Sequence, residues 1–258
     1  MFHSNRTFMV AVAVAVGGWV SQASAALVAH YKFDNSGSLT TNSVLGGVAL
    51  TQVGTVTSTT GVAASNGINL AGGGKFNANF AGALSTTELT ISLWADIPDT
   101  QTNFDDFWAF SLTPSTTRSV FLEVNGSGQT PVLFSPSPPI APAAPDLGTG
   151  GFHHLVATFS AAENVARLYV DGALAGSTTW NVAGLMNQFT IGGEFDTGVR
   201  NITGLLDDVQ IYNQALTASQ VSFLFNNPGI AVIIPEPATA GLALFALGAL
   251  ALRRRRLA

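Results

Sequence analysis

Apolar residues recur along this chain at two-residue intervals and in short runs, separated by Gly, Asp, Asn, Ser and Pro. The cleanest alternation runs from Glu88 to Ala95: Leu89, Ile91, Leu93 and Ala95 fall on one face, Thr90, Ser92 and Trp94 on the other. Side chains alternate across a strand, so this pattern predicts a β-strand. Similar segments predict strands over 27–33, 48–53, 67–70 and 75–80, and a hairpin pair over 106–113 and 118–124. Further strands are expected over 152–159, 166–171, 173–177, 189–193 and 204–213. Asp171-Gly172 predicts a tight hairpin turn, because both residues tolerate positive φ. One short helix is expected over 217–225: Thr217 stands three residues before Gln220, a capping-box spacing, and Val221 with Leu224 or Phe225 supplies the apolar stripe. Six of the 11 prolines lie between Pro131 and Pro145, which rules out a central strand and predicts a semi-rigid surface loop.

Both ends of the chain break this pattern. Residues 1–6 are short and basic, 8–20 are apolar, and Ala23-Ser24-Ala25 supplies small residues. This reads as a secretory signal peptide cleaved after Ala25, with an uncleaved anchor as the alternative. At the other end Pro235-Glu236-Pro237 precedes 15 uncharged residues, Ala238 to Leu252, and then Arg253, Arg254, Arg255 and Arg256. As a helix that run would extend about 22 Å, against roughly 30 Å of bilayer hydrocarbon. Arginines can snorkel to the headgroups and cover part of the difference. They also stay on the cytoplasmic side, which places the domain across the membrane from them. The expected division is 1–25 signal peptide, 26–229 domain and 230–258 tail.

Composition narrows the chemistry of the central domain. Residues 26–229 carry five basic side chains against 14 acids, a net −9, which makes nucleic acid and anionic membrane surfaces poor partners. The chain has no cysteine. An exported domain of this kind must be held by packing alone, and thiol catalysis, iron–sulfur clusters and Cys-based zinc sites are excluded.

The tail resembles the PEP-CTERM sorting signal of Gram-negative bacteria in all three parts. The resemblance implies an exosortase-type processing enzyme as partner, a transient inner-membrane stage through an apolar C-terminal helix, and delivery to the cell surface or extracellular matrix. A plain C-terminal anchor is the alternative. The domain resembles the laminin G-like jelly roll of the concanavalin A-like lectin/glucanase superfamily. The carrying residues are His154-Leu155-Val156-Ala157-Thr158-Phe159, Leu168-Tyr169-Val170-Asp171-Gly172, and Gly204 to Leu216 with Leu206 for Ile and Asp208 for Glu. The implied fold is all-β, a two-sheet antiparallel jelly-roll sandwich.

Candidate chemistry is sparse. Glu194-Phe195-Asp196 resembles part of the glucanase carboxylate set, but Gly198 stands where a second glutamate would be needed. His153-His154 has no carboxylate or third ligand at metal-site spacing, and no serine sits in a nucleophile elbow. No catalytic residue is assigned. The laminin G-like resemblance implies a calcium site on the sandwich rim. Asp207, in phase with Val209 and Ile211, is then a buried carboxylate in need of a partner, with Asp34, Asn35 and Asp196 as further oxygen donors. The alternative is that Asp207 accepts backbone hydrogen bonds or pairs with Arg167 or Arg200. Trp94, Trp108 and Trp180 are the aromatics for a glycan platform, and ordinary packing is their alternative role. The expectation is an exported, non-catalytic domain for adhesion or for glycan or protein binding. The alternative is a glycoside hydrolase of the same superfamily.

Overall fold

The computed structural model describes residues 27–232, apart from 72, 86, 100–103, 113–117, 127–128, 135–137, 143–144, 181–183 and 196–199. The expected signal peptide with Ala25, residues 233–258 with the sorting motif and the apolar helix expected there, and Asp196 therefore lie outside the described residues. Among those described, the strands are β1 (Leu27–Tyr31), β2 (Thr51–Val53), β3 (Thr57–Thr60), β4 (Asn66–Asn69), β5 (Lys75–Ser85), β6 (Glu88–Asp96) and β7 (Asp105–Leu112). They continue as β8 (Val120–Asn125), β9 (Thr130–Phe134), β10 (His153–Ser160), β11 (Val165–Val170), β12 (Ala173–Thr179), β13 (Leu185–Ile191) and β14 (Leu205–Tyr212). A 3-10 turn spans Val62–Ala64, and one helix, α1, spans Ala218–Asn226.

The strands form two antiparallel sheets facing each other in a jelly-roll sandwich. One runs β12-β11-β10-β6-β14-β4-β3, with β1 also paired to β14; the other runs β2-β5-β13-β7-β8-β9. Their facing sides share one core. Leu89, Ile91 and Leu93 of β6 meet Trp108 and Phe110 of β7 and Phe189 of β13 in it. Phe159 sits at its centre, edge-on to Trp108 and 4.6 Å from Trp180. Truncating a fully enclosed Phe costs about 3–5 kcal/mol, so this aromatic knot is a main source of stability in a chain without cysteine.

Local chemistry explains most boundaries. Asp171 and Gly172 have φ of 49° and 76°, the positive pair that a two-residue hairpin requires. Thr217 caps α1 by accepting from Gln220 N, and the Gln220 side chain answers at the Thr217 backbone. The helix lies over the outer side of the eight-stranded sheet. There Val221 and Leu224 pack with Val156, Tyr169, Tyr212 and Leu216 in a second, smaller cluster.

The proline-rich stretch departs from expectation, because its first four residues, Pro131–Phe134, belong to the strand β9 rather than to a loop. Pro131 is accommodated since β9 is an edge strand, paired only with β8. Leu133 and Ile140 then bond each other's backbones and are both buried, which fixes part of the following segment against the sheet.

Candidate functional site

The outer side of the six-stranded sheet carries the most concentrated polar chemistry. In β13, Phe189 and Ile191 enter the core, so Gln188 and Thr190 face outward. Register places Gln188 beside Asn79 and Ser111, and Thr190 beside Asn77 and Ala109. The second row continues through Phe121 to Phe134. Those two rings stack at 4.8 Å and 15°, and the Arg118 guanidinium lies 3.8 Å from the Phe121 centroid. Asn77 Oδ1 and Ser111 Oγ are buried on this face without a hydrogen-bond partner.

An acidic cluster adjoins these rows. A register shift between Asp106 and Trp108 lets Trp108 stay in the core while Asp106 turns outward opposite Glu123. Arg118 Nη1 donates to both Asp106 oxygens at 2.9 and 3.1 Å and to Glu123 Oε2 at 3.5 Å. Arg200 Nη1 reaches the same Glu123 oxygen at 3.3 Å. Glu194 lies against both guanidiniums, at 3.7 Å from Arg118 and 3.9 Å from Arg200. Burial pushes the Asp106 carboxyl up to about 7 despite Arg118, and raises Glu123 as well. Three carboxylates thus share two arginines. Asp106, Arg118 and Glu123 belong to the β7–β8 hairpin, while Glu194 and Arg200 join them from a distant segment after β13, and no alternation along the chain marks the five as a set. The signal available was scarcity: three of only five basic residues in 26–229 converge here, with the Lys75 ammonium donating to the Glu194 carbonyl.

The rim expected around Asp207 is built differently. Register between β14 and β6 shifts between Asp207 and Gln210, at the point where the other neighbour of β14 changes from β4 to β1. Leu206, Val209 and Ile211 belong to the core. Asp207 is opposite Trp94, on the outer side, and not in phase with Val209 as the alternation predicts. Its Oδ2 accepts from Val62 N at 3.0 Å and Ser65 Oγ at 2.6 Å, and its Oδ1 from Asp208 N at 2.7 Å. Gly61 has to be glycine, since a Cβ there would stand 2.2 Å from Asp207 Oδ2. Asp34 comes to the neighbouring residue, where Asn66 N approaches its Oδ1 at 3.4 Å. The three donors that converge on Asp207 fit a hydrogen-bonded carboxylate, not a calcium ligand. Arg167 pairs instead with Glu163. Among the described residues no group of three or more acidic or histidine side chains is arranged to hold a metal.

His153 does have a carboxylate at hand, contrary to the sequence reading. The β10–β11 hairpin brings Asp171 to 2.8 Å from its Nδ1, while Nε2 meets the Thr149 carbonyl, also at 2.8 Å. Burial lowers its pKa, but the hydrogen bonds to Asp171 and Thr149 outweigh this and leave it raised. His154 behaves oppositely. Enclosed beside the Trp94–Phe225 stack, it is pushed by burial down to about 4. None of the three tryptophans forms a platform: Trp108 and Trp180 are in the core, and Trp94 is stacked beneath Phe225 of α1.

The fold defines the chain's class as a two-sheet antiparallel β-sandwich domain. Residues 70–222 match the concanavalin A-like lectin/glucanases superfamily, and the chain belongs to it. Residues 234–256 match the PEP-CTERM protein-sorting motif, which marks an exported protein with a transient membrane-anchored stage and processing by an exosortase-type enzyme. No curated protein sequence matches the chain. Among solved structures, domain 4 of an extracellular GH43 arabinanase from Geobacillus stearothermophilus, in complex with arabinotriose, is similar at 24% identity and TM-score 0.60. That likeness covers 78% of this chain and 98% of the other. The binding domain of Paraclostridial Mosquitocidal Protein 1 is similar at 18% identity and TM-score 0.60, over 78% of this chain and 52% of that one. Trypanosoma rangeli sialidase, solved as a covalent intermediate, is similar at 20% identity and TM-score 0.59, over 77% of this chain and 32% of the enzyme. The chain thus spans about half and about a third of those last two. At these identities the likenesses establish the fold. Among the described residues no helix is long and apolar enough to cross a membrane.

Proposed function

We propose that the domain is a non-catalytic binding module that presents the outer side of its six-stranded sheet to a neutral glycan at the cell surface or in the extracellular matrix. One observation carries this reading: the charges on that face are paired among themselves, while the Phe121–Phe134 stack and the Asn77, Asn79 and Gln188 amides remain beside them. A stacked ring pair next to amides and hydroxyls suits a ligand with apolar faces and many hydroxyl groups. The net −9 of residues 26–229 disfavours polyanions. The similar arabinanase domain was solved with arabinotriose, and the mosquitocidal protein's domain is a binding domain, which supports the class of role. Retaining glycoside hydrolysis needs one carboxylate as nucleophile and another as acid, about 5 Å apart. Here Asp106 and Glu123 share one arginine nitrogen instead. Retention of the secreted domain on neutral polysaccharides tests the reading. Phe121→Ala should weaken retention about tenfold, the loss of a ring contact of some 1.4 kcal/mol.

The hydrolase reading has one observation in its favour, the Asp106 carboxyl raised to about 7 beside Glu123. A carboxyl in that range can act as a general acid. Turnover of any neutral glycan that disappears in Asp106→Asn would favour it over binding.

A further inference from the structure

We infer that the folded domain restrains its own sorting motif through Asp208 and Tyr212, which act as positioning residues for processing of the tail. This rests on the sorting motif and is independent of the ligand reading. After α1 the chain returns to β14, where Gly229 N donates to Asp208 Oδ2 at 2.7 Å and Val232 N to the Tyr212 hydroxyl at 3.0 Å. Val232 also packs against the cluster beneath α1. Both anchors belong to one buried polar chain. His30 Nε2 meets Asp208 Oδ1 at 2.6 Å, Gln210 Nε2 donates to the same oxygen at 2.9 Å, and the Tyr212 hydroxyl donates to Gln210 Oε1. Residues 229–232 therefore form a strap held by the sheet itself.

The matched motif begins two residues after the strap, at residue 234. Three residues of chain from Val232 to Pro235 reach at most about 10 Å. An enzyme acting at the motif needs extended chain on its N-terminal side, and cutting beside folded structure tracks the population of the locally open state. With the strap docked, that side of the motif is bound to the domain. Released back to Asn227, eight residues and roughly 27 Å of chain precede Pro235. Docking of the strap thus slows processing of the folded protein.

The test is pulse-labelled conversion of the full chain in an exosortase-bearing host, followed by intact mass. The variants are Tyr212→Phe, a six-residue Gly/Ser insertion between Val232 and Ile233, their combination, and Glu236→Ala. Loss of the strap's own hydrogen bond, Val232 N to the Tyr212 hydroxyl, should raise the open population and the rate about fivefold in Tyr212→Phe. The insertion should accelerate conversion without altering the melting temperature of the sandwich, and the combination should add little to it. That lack of additivity is what a merely destabilising Tyr212→Phe would not produce. Wild-type rates in Tyr212→Phe and the insertion variant, with Glu236→Ala blocked, would overturn the strap alone. Normal processing of Glu236→Ala would overturn the sorting motif and this inference with it.

Discussion

Asp207 and Asp208 are neighbours in one β-bulge, yet their carboxyls are displaced in opposite directions. Burial pushes Asp207 up to about 7, against hydrogen bonds from Ser65, Asp208 N and Val62 N. Burial acts on Asp208 in the same sense, but His30 at 2.6 Å, with Gly229 N and Gln210, brings it below the ordinary carboxylate value. The hydrogen bonds from His30, Gly229 N and Gln210 separate the two.

Asp208 therefore stabilises the fold at neutral pH. A depressed folded-state pKa contributes stability present above the ordinary value of 3.8 and lost as pH falls through the folded value. Asp208→Asn should cost about 2 kcal/mol at pH 7, the loss of hydrogen bonds to a charged group, and the deficit should shrink below pH 4. Urea unfolding at pH 7 and pH 3 measures both; an equal deficit at the two would remove the His30 pair as the cause.

Asp207 should act with the opposite sign. Its raised pKa means stability that is present below 3.8 and lost as pH rises to about 7. Asp207→Asn should flatten part of that decline. Because its oxygens are taken by protein donors, a chelator should leave the wild-type melting temperature unchanged. A chelator-induced drop that vanishes in Asp207→Asn would place a cation there.

His154 supplies an acid limb. Its folded pKa, lowered to about 4 from 6.5, contributes stability present above 6.5 and lost as pH falls toward 4. The shift corresponds to something on the order of 3 kcal/mol. His154→Phe keeps a ring against the Trp94–Phe225 stack and should flatten the stability profile between pH 6.5 and 4. An unchanged slope would assign the acid limb to other groups.

Arg118 should be needed for the fold as well as for the face it occupies. Asp106 is fully buried and Glu123 nearly so. Arg118→Ala would leave both with less compensation, at a cost of about 3 kcal/mol in thermal or urea unfolding. Adding Asp106→Asn should recover part of the loss, because an uncompensated buried charge is worse than a neutral pair. A double variant less stable than the single one would contradict this.

Much of the fold was legible because its signals are local. The two-residue period of β6, the Asp171-Gly172 turn and the Thr217–Gln220 capping box each follow from neighbouring residues and appear as expected. What was not legible depends on register. The irregularities beside Asp106 and Asp207 reverse the phase of the strand beyond them, so alternation misplaced Asp207 and gave no hint that Asp106 and Glu123 share a face. Trp94 sat correctly on the polar side of its strand, but α1 covers that side and Phe225 closes over the ring. Asp171 reached His153 through a hairpin pairing that spacing along the chain does not reveal.

The most direct test of the binding surface is amide NMR mapping of the secreted domain during titration with a neutral oligosaccharide such as arabinotriose. Shifts confined to Asn77, Ser111, Phe121, Phe134, Gln188 and Thr190, lost in Phe121→Ala, are the predicted result. Shifts centred on Asp34, Ser65, Asn66 and Asp207 at the opposite sheet, with the six-stranded face unaffected, would contradict it.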